Sequence, residues 1–255
     1  MSTIIAFANQ KGGVGKTTSA VNIAADLGCL GKKTLLVDCD PQGNASSGVG
    51  AENSEITLYD MLFSGLEAKK VIQKTKFKNL DVIPSDMNLA AADIALADEK
   101  NRESKLKVAF DSIKEEYDYI ILDCPPSLSL ITLNALTASN YVVVPMQCEY
   151  FALEGLSQLV FTIKQVRRLY NPNLDLLGVI LTMYDGRLNL TVQVMEEVKK
   201  HFPGKVFRNS IPRNVRLSEA PSHSKPINYY DKFSRGALNY MEVARELIER
   251  AEHNI

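Results

Sequence analysis

The sequence lacks the features that would place it in a membrane or in a secreted fraction. Its 255 residues contain no apolar run approaching about 18 residues, so no segment is long enough to span a bilayer. No basic segment followed by an apolar one opens the chain, and we therefore expect no secretion signal. The composition, 45% hydrophobic and 23% charged, argues against a chain dominated by disorder.

Cysteine is scarce and scattered. No C-x-x-C pair occurs among the four cysteines, which are Cys29, Cys39, Cys124 and Cys148. This spacing argues against a metal or iron–sulfur site. We expect reduced, buried thiols in a cytosolic protein.

Net charge is nearly absent, at −1, but the charges are unevenly distributed. Residues 151–236 carry thirteen Lys and Arg against seven Asp and Glu, and the rest of the chain is acidic. A basic region of this kind is either a solvated surface or a weak, sequence-independent contact to nucleic acid. Composition alone leaves both interpretations open.

Apolar strand-like runs alternate with helical patterns along most of the chain. The predicted strands are mostly continuous apolar runs, typical of strands buried on both faces of a parallel sheet: Ile4–Ala8, Thr34–Asp38, Leu80–Ile83, Tyr119–Asp123, Tyr141–Pro145, Leu177–Leu181 and Val206–Ile211. Helical patterns cover Thr17–Leu27, with Gly28 as a C-cap, and Asn88–Ala97, Ser104–Glu116, Leu153–Tyr170, Thr191–His201 and Gly236–Ala251. Asn44–Thr57 is predicted to be a surface loop.

This order predicts an α/β fold, in which a single doubly wound, mostly parallel sheet carries helices on both faces. We expect one domain over residues 1–255, because no repeat, low-complexity tract or linker interrupts the pattern.

A glycine-rich turn follows the first predicted strand. Residues 10–18 read Gln-Lys-Gly-Gly-Val-Gly-Lys-Thr-Thr. The backbone N–H groups of Gly12, Gly13, Val14, Gly15 and Lys16 would surround a β-phosphate, with the Lys16 ammonium on the β/γ oxygens. The Thr17 hydroxyl would bind Mg²⁺. The fold expected is therefore that of a P-loop NTPase that binds a nucleoside triphosphate with Mg²⁺.

The turn departs from the standard pattern G-x-x-x-x-G-K-[ST] in one respect. That pattern requires glycine at position 10, where this chain has Gln10 followed by an additional lysine, Lys11. From composition alone, Lys11 could also be an exposed loop lysine without a role.

Carboxylates follow two other predicted strands. Asp38 and Asp40 follow the second strand, and Asp123 ends the strand Tyr119–Asp123. Ligands of open α/β sheets bind at the carboxyl ends of the strands, so these side chains are expected beside the glycine-rich turn. Asp123 would hold Mg²⁺ through a water. Of Asp38 and Asp40, one would position the attacking water while the other assists Mg²⁺.

Several motifs together resemble a known family. Lys11–Thr17 is similar to the deviant Walker A motif of the ParA/MinD group of ATPases. Val37–Asn44, read as V-D-x-D-P-Q-G-N, Asp123–Ser127 and Ile211–Pro221 resemble the chromosomal, Soj-like ParA proteins. The resemblance runs from about residue 3 to the end of the chain.

The resemblance implies a role for each loop residue. Lys11 would cross to the nucleotide of a second subunit in an ATP-bound homodimer, and Gly12 would permit that close contact. Lys16 would be the phosphate lysine and Thr17 the Mg²⁺ ligand. Thr18 would lie near the α-phosphate.

The resemblance also covers the remaining site residues. Asp40 would orient the hydrolytic water, Asp38 would support the site, and Asp123 matches the Walker B aspartate. Pro212 and Asn214 fall where the family contacts adenine.

Family members bind DNA without sequence preference as ATP dimers, and Arg187 and Arg216 match their DNA-contacting arginines. Weaker candidates are Lys199, Lys200, Lys225, Lys232 and Arg235. The resemblance implies a slow ATPase stimulated by a ParB-like partner, cytoplasmic and associated with the nucleoid. Its physiological role would be chromosome segregation, control of replication initiation or regulation of sporulation.

Three alternatives share parts of this pattern. A MinD-like, membrane-cycling division regulator would need a basic amphipathic carboxyl-terminal helix, whereas the charged residues of Gly236–Ala251 are net negative. A nitrogenase-type reductase would need cluster cysteines, and a ligase-like relative would need a small-molecule pocket. A plasmid ParA would carry an amino-terminal DNA-reading extension, for which residues before the first strand leave no room.

Overall fold

The structure, a computed structural model, describes residues 1–253. Its strands are β1 Thr3–Phe7, β2 Thr34–Asp38, β3 Gln73–Lys74, β4 Leu80–Ile83, β5 Tyr119–Asp123, β6 Tyr141–Gln147 and β7 Asp175–Thr182. They form one sheet in the order β3-β4-β2-β5-β1-β6-β7. All pairings are parallel except that of the short edge strand β3 with β4. The α/β class predicted from the sequence is therefore confirmed.

The helices connect the strands and cover the sheet. They are α1 Lys16–Cys29, α2 Asn44–Gly48, α3 Leu58–Phe63, α4 Ala68–Val71, α5 Ala92–Ala95, α6 Lys105–Phe110, α7 Leu130–Ala138, α8 Ala152–Leu169, α9 Asn189–His201, α10 Val215–Glu219, α11 Ile227–Tyr230 and α12 Arg235–His253. Short 3₁₀ turns occupy Met87–Ala91, Arg102–Ser104 and Ala220–His223.

Each strand buries both of its faces, which explains the continuous apolar runs in the sequence. On β1, Ile5 and Phe7 belong to one hydrophobic cluster, whereas Ala6 belongs to the other. The first cluster is closed by α1 and α12, and the second by α3, α4 and α6 to α9. Successive side chains of a strand point to opposite faces, so a strand in the middle layer must be apolar throughout.

The sheet register brings the predicted carboxylates together. Asp38 at the end of β2 lies directly opposite Asp123 at the end of β5, and Asp123 in turn pairs with Phe7 at the end of β1. The glycine-rich turn begins just after β1. The three strand ends named by the sequence motifs are therefore adjacent in space.

Several helix predictions need correction. Gly28 is not a C-cap: α1 continues to Cys29, and Gly28 instead permits close contact, because a Cβ there would overlap the Lys78 carbonyl. The predicted loop Asn44–Thr57 begins with α2, whose residues Ala45 and Ser46 are buried. The helices predicted at Asn88–Ala97 and Ser104–Glu116 contain only short α-helical stretches, flanked by 3₁₀ and other turns.

Val206–Ile211 was predicted to be a strand, but the structure has no regular strand there. Residues 205–211, here called the edge segment, run beside β7 without forming a continuous ladder; the isolated bridges are Val179 with Val206 and, just past the end of the segment, Tyr184 with Pro212. On the side away from β7, backbone groups of the segment bond to side chains of α12, as described below.

The predicted thiols are free. Cys39, Cys124 and Cys148 are buried, as expected, whereas Cys29 is only half-buried. No helix within residues 1–253 is long and apolar enough to cross a membrane.

Candidate nucleotide site

The glycine-rich turn between β1 and α1 is a tight, concave loop. Gly13 and Gly15 have φ angles of 73° and 82°, a left-handed conformation that glycine adopts without steric cost. Thr182, at the end of β7, packs beneath the loop, and its hydroxyl donates a 2.8 Å hydrogen bond to the Val14 carbonyl. Consecutive backbone turns of this kind form the anion-binding nests of phosphate loops.

The two lysines of the loop have different environments. Lys16 is 7% exposed, and its Nζ donates to the Lys11 carbonyl across the loop at 3.1 Å. Burial lowers the pKa of Lys16, an effect that the nearby Asp123 carboxylate opposes. The Lys11 side chain is 44% exposed and forms an ion pair with Glu149. One lysine therefore faces its own loop, and the other lies at the surface.

Asp123 is a buried carboxylate whose oxygens lack hydrogen-bond partners among the described residues. Neither of its oxygens has a hydrogen bond of regular geometry within the described part of the chain. Burial, and then the neighbouring Asp38 charge, raise the pKa of Asp123 well above its usual range; the nearby Thr17 hydroxyl and the Lys16 ammonium oppose that rise. An orphaned buried carboxylate is unfavourable unless a ligand satisfies it.

The carboxylates of Asp38 and Asp40 differ in the number of hydrogen bonds that they accept within the chain. Asp38 accepts hydrogen bonds from the Ser46 N–H and hydroxyl at 2.8 and 2.7 Å, and from the Asp40 N–H at 3.1 Å. Burial raises the pKa of Asp38 to about 6, against the lowering effect of the Ser46 bonds. Asp40 accepts only from the Gln42 N–H, at 3.0 Å, among the bonds recorded for it. This geometry favours a supporting role for Asp38 and leaves Asp40 the more available carboxylate.

A cavity of about 240 Å³ lies against the same loop. Pro212 and Asn214 line it together with Gly15, Thr18 and Tyr240. Met183, another wall residue, has a φ of 49°, which is uncommon for a residue other than glycine. Backbone strain of this kind clusters at ligand sites. The two residues assigned to adenine by resemblance thus lie beside the phosphate loop.

The assembled residues fit a triphosphate and magnesium. The loop offers backbone N–H groups and the Lys16 ammonium to phosphate oxygens. The Thr17 hydroxyl and the unsatisfied Asp123 carboxylate are oxygen ligands of the type that Mg²⁺ prefers. The cavity lined by Pro212 and Asn214 lies beside the loop and is the candidate site for a base.

The two arginines matched to DNA contacts lie outside this site and carry acidic partners. Arg187, with an 89% exposed side chain, forms a two-pronged pair with Asp185 at 2.8 and 2.6 Å. That pairing lowers the pKa of Asp185 to about 2. Arg216 on α10 contacts Glu219 at 2.9 Å and Asp231 at 3.5 Å.

Sequence reasoning missed several residues that complete the site. Ser46 holds Asp38, Glu149 pairs with Lys11, Thr182 supports the loop, and Tyr240 closes the base cavity. Ser46 could have been predicted, because it lies two residues after the end of the V-D-x-D-P-Q-G-N motif. The other three lie more than 130 residues from their partners, and no local pattern marks them.

Comparisons with known proteins identify relatives over nearly the whole chain. A family model described as an AAA domain matches residues 2–176. The sporulation initiation inhibitor protein Soj of Bacillus subtilis is 55% identical over 249 residues, which cover 97% of this chain and 98% of that protein. The chromosome partitioning protein ParA of Myxococcus xanthus is 49% identical over 249 residues, 97% of this chain and 88% of that protein.

A solved structure adds a ligand-bound relative. Cobyrinic acid a,c-diamide synthase from Mycobacterium smegmatis, with bound ATP analog and magnesium, matches with a TM-score of 0.89 and 34% identity. The match covers 100% of this chain and 97% of that one.

Proposed function

The chain belongs to the Soj/ParA family of chromosome-partitioning ATPases, and from this premise we propose that it acts as an ATP-dependent dimerising switch on DNA. The resemblance found in the sequence motifs is thereby confirmed at the level of the family. The proposed unit is a single ParA-type ATPase domain over residues 1–255.

The observation that carries the proposal is that the two loop lysines point in different directions. Lys16 already serves its own loop, whereas Lys11 points to the surface, where Glu149 is its partner. At Gly12 an added Cβ would meet no other atom within 4 Å in the described chain. A glycine that its own fold does not require is explained if a second molecule packs there.

In the proposed dimer, Lys11 of each subunit leaves Glu149 and approaches the partner's nucleotide. Positive charge placed against the phosphates stabilises the negative charge that develops during phosphoryl transfer, as an arginine finger does. Hydrolysis would therefore depend on dimerisation. The lifetime of the dimer would be set by how long ATP remains unhydrolysed.

The other residues have assigned positions in the same scheme. Lys16 holds the phosphates, Thr17 and Asp123 hold magnesium, and Asp40 orients the attacking water. Asp38 accepts hydrogen bonds from the Asp40 N–H and from the Ser46 hydroxyl, which hold the Asp40 loop in place, and it would assist magnesium. Magnesium, when bound, supplies positive charge next to the phosphate oxygens.

DNA binding would use the basic part of the chain, with Arg187 and Arg216 contacting phosphates. Backbone phosphate contacts carry no sequence information, which suits a protein that binds DNA without preference. A ParB-like partner would accelerate hydrolysis and so release the dimer. We place the protein in the cytoplasm, associated with the nucleoid.

Two other functions are less well supported. A membrane-cycling, MinD-like regulator would present the apolar face of α12 to lipid, but Ala237, Val243 and Leu247 on that face are buried against the chain's own sheet. A diamide synthase activity rests on 34% identity, against 55% for Soj.

The decisive experiment is size-exclusion chromatography with light scattering on an Asp40→Ala protein, with and without ATP and DNA. We expect an ATP-dependent dimer that binds DNA. Gly12→Val should fold and bind ATP, because the chain itself leaves room for the side chain, yet remain monomeric. Equal DNA binding with ATP, with ADP and without nucleotide would contradict the proposal, as would a Gly12→Val protein that dimerises normally.

A further inference from the structure

The edge segment has backbone groups directed to both of its sides, as any strand does. On one side it bonds to β7. The Phe207 N–H donates to the Val179 carbonyl at 3.0 Å, and the Ile211 N–H donates to the Leu181 carbonyl at 2.8 Å. The Val179 N–H donates to the Lys205 carbonyl at 2.7 Å. Odd-numbered residues thus form the contact with the sheet.

On the other side, where a further strand would pair, the partners are side chains of α12. Arg250 donates to the Val206 carbonyl at 2.8 Å. The Arg208 N–H donates to the Glu246 carboxylate at 2.9 Å. Asn239 donates through its amide nitrogen to the Ser210 carbonyl at 2.6 Å. Residues 206, 208 and 210 each bond to the helix through one backbone group.

Asn239, Glu246 and Arg250, here called the clamp, lie seven and four positions apart. That spacing places them along one side of a helix. Glu246 and Arg250 are buried and bond to each other at 2.7 Å, and the Arg250 guanidinium lies 4.3 Å from the centre of the Phe207 ring. A buried ion pair is costly to maintain unless further hydrogen bonds satisfy it. Here those bonds are made to the edge segment.

The edge segment leads directly into the base cavity. Ser210 stands two residues before Pro212, and Asn239 precedes Tyr240, which lines the cavity. The Tyr240 hydroxyl is 3.1 Å from the Ser19 hydroxyl on α1. Asn239 is thus the clamp member nearest the base and holds the chain just before the residues that would contact it.

From this geometry we propose that the clamp, through Asn239, positions the Pro212–Asn214 loop and thereby sets discrimination between nucleotide bases. The inference rests on the proposed nucleotide binding. Asn239 is a positioning residue, since it touches the Ser210 carbonyl and not the nucleotide. Base recognition depends on hydrogen-bonding groups held in fixed places, so a loop released from Ser210 would lose selectivity before it lost phosphate affinity.

The test uses binding calorimetry with three probes: MgATP, MgGTP and magnesium tripolyphosphate, which has no base. Asn239→Ala removes the donor, and Asn239→Asp places a negative charge against the Ser210 carbonyl. The matched control is Arg245→Gln on the same helix, whose exposed side chain contacts only Glu242, at 3.5 Å, among its recorded ion pairs.

We expect Asn239→Asp to weaken MgATP binding by about tenfold and to reduce the ratio of ATP to GTP affinity by a similar factor. Asn239→Ala should act in the same direction and less strongly. Tripolyphosphate affinity should stay within about twofold of the parent, because the phosphate loop bonds to Thr182 and not to the clamp.

The outcomes separate cleanly. An unchanged ATP to GTP ratio overturns the inference, and so does an equal loss of ATP and tripolyphosphate binding, which would indicate a general loss of structure. A parent protein that binds no MgATP would instead refute the proposed function itself.

Discussion

The two halves of the nucleotide site are built in opposite ways. The phosphate half consists of a continuous loop and of strand ends whose positions follow from the sheet register. The base half consists of the edge segment and the residues after it, which depend on side chains of α12 for their backbone bonds. The loop of the phosphate half is marked by a local sequence motif, whereas the backbone of the base half is held by side chains of a helix distant in sequence. Substitutions should therefore affect the two halves independently.

The largest expected effect is on the phosphate half. Lys16→Ala removes the ammonium that lies within the loop, and we expect roughly a hundredfold loss of MgATP affinity. Magnesium tripolyphosphate should be weakened equally, so that the ratio of ATP to GTP affinity is unchanged, in contrast to Asn239→Asp. Calorimetry checks both, with Lys114→Ala as control, because Lys114 lies outside the loop and pairs with Asp111. A changed base ratio would contradict the independence of the halves.

The next effect concerns the packing of the base half. A Cβ at Gly178 on β7 would lie 2.6 Å from the Lys205 carbonyl and 2.8 Å from an Arg250 nitrogen. Gly178→Ala should therefore lower the free energy of unfolding by about 3 kcal/mol, because the new methyl group would have to displace both the Lys205 backbone and the buried Arg250 guanidinium.

The control for Gly178→Ala is Gly155→Ala on α8, where an added Cβ meets nothing within 4 Å in the described chain. Alanine favours helix over glycine, so this change should raise stability by about 0.5–1 kcal/mol. Urea denaturation measures both. Equal effects of the two changes would show that the clamp tolerates displacement.

The stability of the protein is expected to depend on pH through Asp26 on α1. Burial raises the pKa of Asp26 to about 7, although Asn228 on α11 donates to it at 3.1 Å. The folded state binds this proton more tightly than the unfolded state, so its stabilising effect is present at low pH and is lost as pH rises from about 4 to about 7.

Asp26→Asn removes that dependence. The variant should be more stable than the parent by about 4 kcal/mol at pH 8, and the difference should shrink towards zero near pH 4. Thermal unfolding of both proteins at a series of pH values checks it. A difference that does not vary with pH would show that Asp26 does not titrate as described.

The smallest effect is at the surface beyond the base half. Arg187→Ala and Arg216→Ala should each lower DNA affinity a few-fold and reduce the slope of log affinity against log salt by about 1. Filter binding in ATP at several salt concentrations measures the slope. Lys114→Ala, which removes a half-buried lysine paired with Asp111 at 2.7 Å, should leave the slope unchanged. Unchanged slopes for both arginine variants would remove these residues from the DNA contact.

Much of the fold follows from the sequence because the central strands are apolar on both faces. The predicted strands agree with β1, β2, β4, β5, β6 and β7 to within a few residues. Helix α7 was missed because it is buried nearly all round, so that no amphipathic period marks it. The short helices α2 to α4 were missed because segments of four to six residues give no measurable periodicity.

The candidate site shows the same limit. Lys16, Thr17, Asp38 and Asp123 were placed correctly beside one another because each follows a strand of the sheet. Glu246 and Arg250 are charged residues of the last helix, yet both are buried. Charge alone suggested exposure, and only the unpaired backbone of a segment about 40 residues earlier explains why they are inside.

The order of these elements along the chain has a consequence for synthesis. Helix α12 follows every other element described, whereas the phosphate loop lies near residue 15. On a ribosome the anion-binding turn would emerge long before the residues that complete the base cavity. A nascent chain would then acquire affinity for polyphosphates first and selectivity for adenine only after α12 had docked.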